Sequence, residues 1–390
     1  LGGDNRSDGC GGWGDAATIV PWEMYETYGD IRILKRCYDM MKKWVEYQSS
    51  TDRRNYGVRT VDGKEVPEQS DLATIPYIQV QQCRGDHLTY DNSTPYIYSA
   101  TAYAAHSADI LRRTAYILGK TDDEKRYSEL FENIKRAFND AWVNDDGSVS
   151  YYGEVSSQTA HCGESVALDG SVTRYTYYAE NPPHCPSQTA YALAVDFDLI
   201  PKDKLKNTRE YFKNSILRNN GKLTVGFLGI SHLAPALSKV GLDDVAFKLL
   251  EQEDNPSWLY SVKNGATTIW ERWNSYIAET GTFGDVSMNS FNHYSYGAIG
   301  QWFFTDILGI RPVEFGYKSF MLSPKFGGGL TYAKGSFTSP YGKISSAWKL
   351  HDGKFTYDCT VPTNTTATLK LPNGDIHTLA DGSYHFEINV

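Results

Sequence analysis

The chain is 390 residues long, carries a formal net charge of −9, and is 14% aromatic with 28 tyrosines and nine tryptophans. Its length admits one large domain with a small one, or about two to three average domains. The acidic balance and the lack of any Lys/Arg block argue against nucleic acid or an anionic membrane surface as the main partner.

No run approaches the ~18 apolar residues of a membrane span, and Leu1 opens neither the basic nor the apolar region of a secretory leader. Six cysteines without a CxxC pair are too sparse for a disulfide scaffold, so the compartment stays open. Tyrosine and tryptophan rings with polar edges suit sugar faces as well as cores.

Residues 4–16, DNRSDGCGGWGDA, are rich in glycine and aspartate. Glycine serves turns as readily as it lets backbone approach a ligand, so composition alone reads this stretch as a surface loop. From 31 to 47, Ile33, Leu34, Cys37, Met40, Met41, Trp44 and Val45 recur at helical spacing and predict an amphipathic helix. Similar patterns predict helices over 96–118, over 122–143 behind a cap at Thr121, and over 187–198, 203–217, 231–252 and 290–308.

No strands alternate with them, so the fold class is mainly α, built from antiparallel hairpins. Two helix-poor stretches, 50–92 and 147–186, interrupt the series. After Arg311-Pro312, short alternating runs such as KISSAWKL and KFTYDCTVP, split by Gly, Pro and Asn-Gly, predict strands and hairpins. The boundary falls near 311, giving a helical domain over 1–310 and a small antiparallel β-sandwich over 311–390.

Chemistry concentrates in 265–302, GATTIWERWNSYIAETGTFGDVSMNSFNHYSYGAIGQW. Trp270-Glu271-Arg272-Trp273 sets an acid and a guanidinium between two indoles, where a carboxylate can be partly desolvated and tuned. A Glu-Arg pair that merely orders the core is the competing reading. Asn289, Asn292 and His293 follow, as groups that could orient hydroxyls or, for His293, cap a helix or sit in the core.

GATTIWERW followed by MNSFNHYSYGAIGQW resembles the glycoside hydrolase family 78 α-L-rhamnosidases. GDHLTYDNSTPYIYSATAYAAHSA, SQTAYALAVDFDLIP and TVGFLGISHLAPAL resemble that family in the same order, and 316–350 resembles its following β-sandwich. Similarity therefore spans nearly the whole chain. It implies an (α/α)6 barrel with the pocket at one end, no cofactor or catalytic metal, and inverting hydrolysis of a terminal α-L-rhamnosyl bond. Inversion needs one carboxylic acid to protonate the leaving oxygen and one carboxylate across the sugar to activate water. Glu271 matches the family's general base.

The family's acid lies in a stretch reading Asp-Cys-Pro-Gln-Arg, an acidic residue, then Glu-Arg-x-Gly-Trp-x-Gly-Asp. Aligning its final Gly-Asp with Gly14-Asp15 puts Asp8 where the catalytic Glu stands, while Asp4 sits closer to it than the family's first aspartate does and Trp13 is displaced by one. Asp8 is then the expected acid, one methylene shorter than the family's; a Gly-Asp turn residue is its structural reading. Asp4, Arg6, Trp13, Asp15, Trp270, Trp273 and His293 are expected to line the pocket, with Trp13 or Trp270 facing the C6 methyl. Asp86 matches a family Gly-Asp-Trp position with His87 in place of Trp, and is either a residue of the pocket, one that supports the pocket from behind, or a structural turn.

The insert at about 149–186 has no recognised counterpart. His161-Cys162 and His184-Cys185 could hold zinc, but a disulfide or two free thiols is the blander reading. Tyr151, Tyr152, Tyr175, Tyr177 and Tyr178 are expected to wall an aglycone subsite. Because the chain starts inside the acid motif, it is expected to be either a piece of a longer precursor with upstream β-sandwich domains or a barrel without its first helix. The leading expectation is an exo-acting rhamnosidase whose partner is a carbohydrate with terminal L-rhamnose. A rhamnose-binding relative that has lost catalysis, or the same barrel acting on another deoxy or uronic sugar, stand beside it.

Overall fold

The computed structural model describes residues 9–50, 76–79, 85–90, 94–150 and 186–390. It also describes the backbone alone of strands β1 (Val58–Val61), β2 (Lys64–Pro67), β3 (Ala160–Ala167) and β4 (Val172–Tyr178). The chain forms two compact units, Leu1–Thr18 with Asp39–Gly297, and Ile19–Tyr38 with Ala298–Val390. The C-terminal run of strands begins at Ile310, and the second unit also takes in 19–38 and 298–309.

In the first unit α3 (Tyr96–Ile117), α5 (Gln188–Asp196) and α7 (Phe227–Lys239) pack side by side, and each carries a hairpin partner: α4 (Thr121–Trp142), α6 (Leu205–Leu217) and α8 (Asp243–Leu250). Sequence explains the two layers. Helix α5 buries every residue from Gln188 to Val195, and α3 buries a run of alanines from Ala100 to Ala108 that lets its neighbours come close. Helix α4 buries only a stripe, including Tyr127, Phe131, Ile134 and Phe138, and turns its charges outward. Helices apolar all round belong inside and one-faced helices outside, which is the layering of an (α/α)6 barrel.

Several local expectations are corrected. A helix α1 (Ala16–Tyr28) precedes α2 (Ile31–Gln48); Pro21 inside α1 breaks the pattern that would have announced it. The expected 231–252 helix is two, α7 and α8, parted at 240–242. The expected 290–308 helix shrinks to a 3-10 turn at Ser295–Ala298, α10 (Ile299–Trp302) and a π turn at Phe303–Ile307. Lys120, not Thr121, takes the N-cap of α4, with no side-chain cap. Helix α9 (Trp258–Lys263) is too short for its period to show, although Ser257 caps it by accepting the Tyr260 N–H at 3.0 Å.

The second unit carries two four-stranded sheets. The first holds β9 (Tyr332–Ser339), β10 (Gly342–His351), β11 (Lys354–Val361) and β14 (Gly382–Asn389), all antiparallel in the order β14-β11-β10-β9. The second orders β13 (Ile376–Leu379), β12 (Thr366–Lys370), β8 (Ser319–Leu322) and β7 (Ile310–Pro312), and pairs β8 with β12 in parallel. Period-two burial puts Phe355, Tyr357, Cys359 and Val361 of β11 inward. Trp348 and Ser346 of β10 satisfy their polar atoms on the Ile307 and Leu308 carbonyls at 2.9 and 2.7 Å.

Between α3, α5 and α7 lies a half-buried polar cluster. His232 Nδ1 is 2.6 Å from Asp196 Oδ2, its Nε2 is 3.1 Å from the Tyr103 hydroxyl, and His106 stacks on Phe197 with centroids 4.1 Å apart. Burial, then the neighbouring His232, pushes His106 down to about 3. An unfolded imidazole titrates near ~6.5, so below that pH the unfolded chain binds the extra proton. The stability contributed by neutral His106 is complete above ~6.5 and is lost as pH falls toward about 3. Denaturant unfolding at pH 7 and pH 5 is predicted to show a smaller acid loss in His106→Gln than in the parent; an equal loss contradicts the account.

Candidate active site

The loop before α1 is shaped by close packing. Gly14 lies against Trp44 so tightly that a Cβ there would come within 2.2 Å of the indole. Part of this loop's glycine content is therefore a packing requirement. Asp15 beside it is fully buried. Its Oδ2 accepts the Gly12 N–H at 2.7 Å, while its Oδ1 accepts Trp44 Nε1 and Gln48 Nε2, each at 3.0 Å, and the Ser107 hydroxyl at 2.5 Å. Burial raises its pKa, and these donors act against that rise. Trp13, two residues earlier, stays 36% exposed.

Glu271 sits where two irregular segments pair. Glu271 N–H donates to the Ser290 carbonyl and His293 N–H to the Ile269 carbonyl, both at 2.8 Å. The Ser290 N–H donates to Glu271 Oε2 at 2.7 Å, so a half-buried carboxylate is aimed by backbone. Arg272 makes its ion pair with Asp285, at 3.6 Å. Trp270 is buried, edge-on to Phe291, and shares with Trp258, Ile269, Arg272, Trp273 and Tyr296 the lining of a cavity of about 260 Å³. Trp273 is also buried: its ring stacks on Tyr296 with centroids 3.9 Å apart, and its Nε1 donates to the Val225 carbonyl at 2.9 Å.

A row of rings runs from Trp13 to His293. Trp13 meets His87 at 6.4 Å between centroids, His87 meets Phe227 at 5.5 Å, and Phe227 stacks on His293 at 4.9 Å. Asp86 lies buried behind this row. Its Oδ1 accepts the N–H groups of Leu228 and Gly229 at 2.8 and 3.0 Å, and its Oδ2 accepts the Gly226 N–H at 2.8 Å and the Thr189 hydroxyl. Three of these four donors are backbone groups at the N-terminus of α7, which favours a negative charge there.

Of the expected site residues, Trp13 and His293 are thus brought into one row, with Glu271 paired to the His293 segment. Asp15, Trp270 and Trp273 lie at 6% exposure or less, and Asp86 is held by the backbone of another loop. Asp4, Arg6 and Asp8 lie outside the described residues, as do Tyr151, Tyr152, His184 and Cys185. The side chains of His161, Cys162, Tyr175, Tyr177 and Tyr178 do too. The backbone of β3, however, pairs with β4 and, at Val166 and Ala167, with β6 (Thr282–Phe283), which also pairs with β5 (Tyr276–Ile277). The insert therefore joins a sheet with the chain that runs from Glu271 to His293. His87, Phe227 and Ser290 were not among the expected site residues; Phe227 stands in TVGFLG and Ser290 in MNSFNHY, motifs whose resemblance was already visible.

Residues 3–307 match the bacterial alpha-L-rhamnosidase 6 hairpin glycosidase domain, and residues 309–385 match the bacterial alpha-L-rhamnosidase C-terminal domain. An alpha-L-rhamnosidase of Formosa agariphila is 34% identical over 377 residues, which are 96% of this chain and 35% of that protein. One of Streptomyces avermitilis is 35% identical over 369 residues, 94% of this chain and 30% of that protein. The crystal structure of Streptomyces avermitilis alpha-L-rhamnosidase complexed with L-rhamnose matches with a TM-score of 0.80 at 31% identity, covering 100% of this chain and 34% of that one. The chain spans about a third of the length of these relatives.

Gly14→Ala is predicted to destabilise the first unit by about 1–3 kcal/mol through overpacking against Trp44. Gly300→Ala, at an ordinary φ and with open space around the added carbon, is the control and is expected to cost nothing. Equal losses in denaturant unfolding would contradict the packing explanation.

Proposed function

Because the chain belongs to the bacterial alpha-L-rhamnosidase family, through both its 6-hairpin glycosidase domain and its C-terminal domain, we propose that it is the catalytic part of an exo-acting, inverting α-L-rhamnosidase. The observation that carries this reading is Glu271, a half-buried carboxylate aimed by the Ser290 N–H beside the ring row that ends on His293. A water against Glu271 gives up its proton as its oxygen attacks the anomeric carbon. The glycosidic bond breaks on the opposite face, and the leaving oxygen takes a proton from the acid carboxyl.

Ser290 engages Oε2 of Glu271, and Oε1 is the oxygen assigned to the water's proton. Asp8 is assigned as the acid, with Asp4 and Arg6 in the pocket, on the sequence register with the family motif. His293 accepts the Ser295 N–H on Nδ1 at 3.3 Å, and its Nε2 is the nitrogen assigned to a sugar hydroxyl. Trp13 presents more indole surface than the buried Trp270, so the C6 methyl of rhamnose is placed against Trp13. Asp15 and Trp273 act in this reading from beneath the site, by holding the loops that reach the sugar.

The substrate is a glycoside that ends in α-L-rhamnose, with the insert's β3–β4 hairpin on the leaving-group side. Kinetics on an aryl α-L-rhamnoside test the assignment: Glu271→Gln is predicted to lower turnover on the order of 10²–10⁴-fold with its fold intact. Retention of parental turnover would remove Glu271 as the base. Calorimetric affinity for L-rhamnose with no sugar released over long incubation would mean that the chain is a binder, and activity on another deoxy or uronic glycoside alone would change the substrate.

A further inference from the structure

Asp86 was expected in the pocket, behind it, or in a turn, and its carboxylate faces the turn before α7. That turn carries Val225, whose carbonyl receives the Trp273 indole N–H at 2.9 Å. Trp273 lies two residues from Glu271 and is stacked on Tyr296, and the Tyr296 hydroxyl donates at 3.1 Å to the Leu88 carbonyl, two residues from Asp86. Loop 85–90 therefore reaches the Glu271 segment twice, through the α7 turn and through Tyr296.

The docking of that loop is close. Phe227 N–H donates to the His87 carbonyl at 2.9 Å, Tyr90 N–H donates to the Thr224 carbonyl at 2.7 Å, and a Cβ at Gly226 would come within 2.3 Å of the His87 oxygen. Loop and turn are thus in direct backbone contact, with no room for a side chain at 226. Asp86 collects three N–H groups at this junction, and they can be met together only if the turn holds one conformation.

We propose that Asp86 is a positioning residue for Glu271: by clamping residues 226–229 it holds the Val225 carbonyl where the Trp273 indole docks, and the docked indole sets the Glu271 carboxylate. The proposal rests on Glu271 being the base. It assigns Asp86 no contact with sugar, so loss of the clamp should lower kcat while leaving affinity for L-rhamnose as it was.

A double-mutant cycle on the whole chain tests it, with Asp86→Asn and Trp273→Phe; the phenylalanine keeps a ring on Tyr296 but has no indole N–H. Each single change is expected to lower kcat on an aryl α-L-rhamnoside roughly tenfold to hundredfold, the scale on which a displaced catalytic group loses rate. Inhibition by L-rhamnose should stay within about twofold. Because both changes break one linkage, the double variant should fall no more than about threefold below the weaker single variant.

Multiplicative losses, or an unchanged kcat in folded Asp86→Asn, overturn the proposal. If Asp86→Asn does not fold, Thr189→Val removes one donor and leaves the carboxylate in place. It is expected to lower kcat about threefold, and an unchanged kcat overturns the proposal equally. If the parent chain releases no sugar, the functional reading fails by itself. The linkage is then read in the near-ultraviolet circular dichroism of the Trp273–Tyr296 stack, which Asp86→Asn must weaken for the linkage to stand.

Discussion

A buried carboxylate is tolerated only where donors saturate it, and two such groups organise the first unit. Asp15 draws Gly12, Trp44, Gln48 and Ser107 to a point and thereby ties the first loop to α2 and α3. Asp86 draws in the N-terminal N–H groups of α7 and ties the loop before α3 to the turn after α6. Neither group needs solvent to be satisfied. Each converts the cost of a buried charge into a fixed separation between loops that are far apart in sequence.

On that frame the remaining parts are apolar or backbone-held. The rings of Trp13, His87, Phe227 and His293 follow one another across the loops, and the paired segments around Glu271 and Ser290 close the far side. The division of labour is consistent with a glycosidase. Buried hydrogen-bond clusters fix the geometry, while the half-buried Glu271 carboxylate and the Trp13 indole face are more accessible.

The sequence revealed the layering of helices because burial on all sides and burial on one side leave different patterns, as α5 and α4 show. It did not reveal α1, because Pro21 masks a helix whose residues do not separate into faces, nor the break between α7 and α8. At the site, the segments that carry Glu271 and His293 stood out as motifs, and the structure pairs their backbones. The donors that hold Asp15 and Asp86 were not legible, since an aspartate beside glycine looks the same whether it meets a ligand or a distant backbone. Only the donors brought in from Trp44, Ser107, Gly226 and Leu228 separate the two cases, and those partners lie 29 to 142 residues away.

The β-rich unit was read correctly as strands, but a parallel pair between β8 and β12 lies between elements too distant for turn chemistry to announce. For the account as a whole the anomeric outcome is the most direct measurement. Proton NMR of the first sugar released from an α-L-rhamnoside should show β-L-rhamnose before mutarotation, as expected when Glu271 activates water opposite the acid. Initial release of α-L-rhamnose would contradict the assignment of Glu271 as a general base.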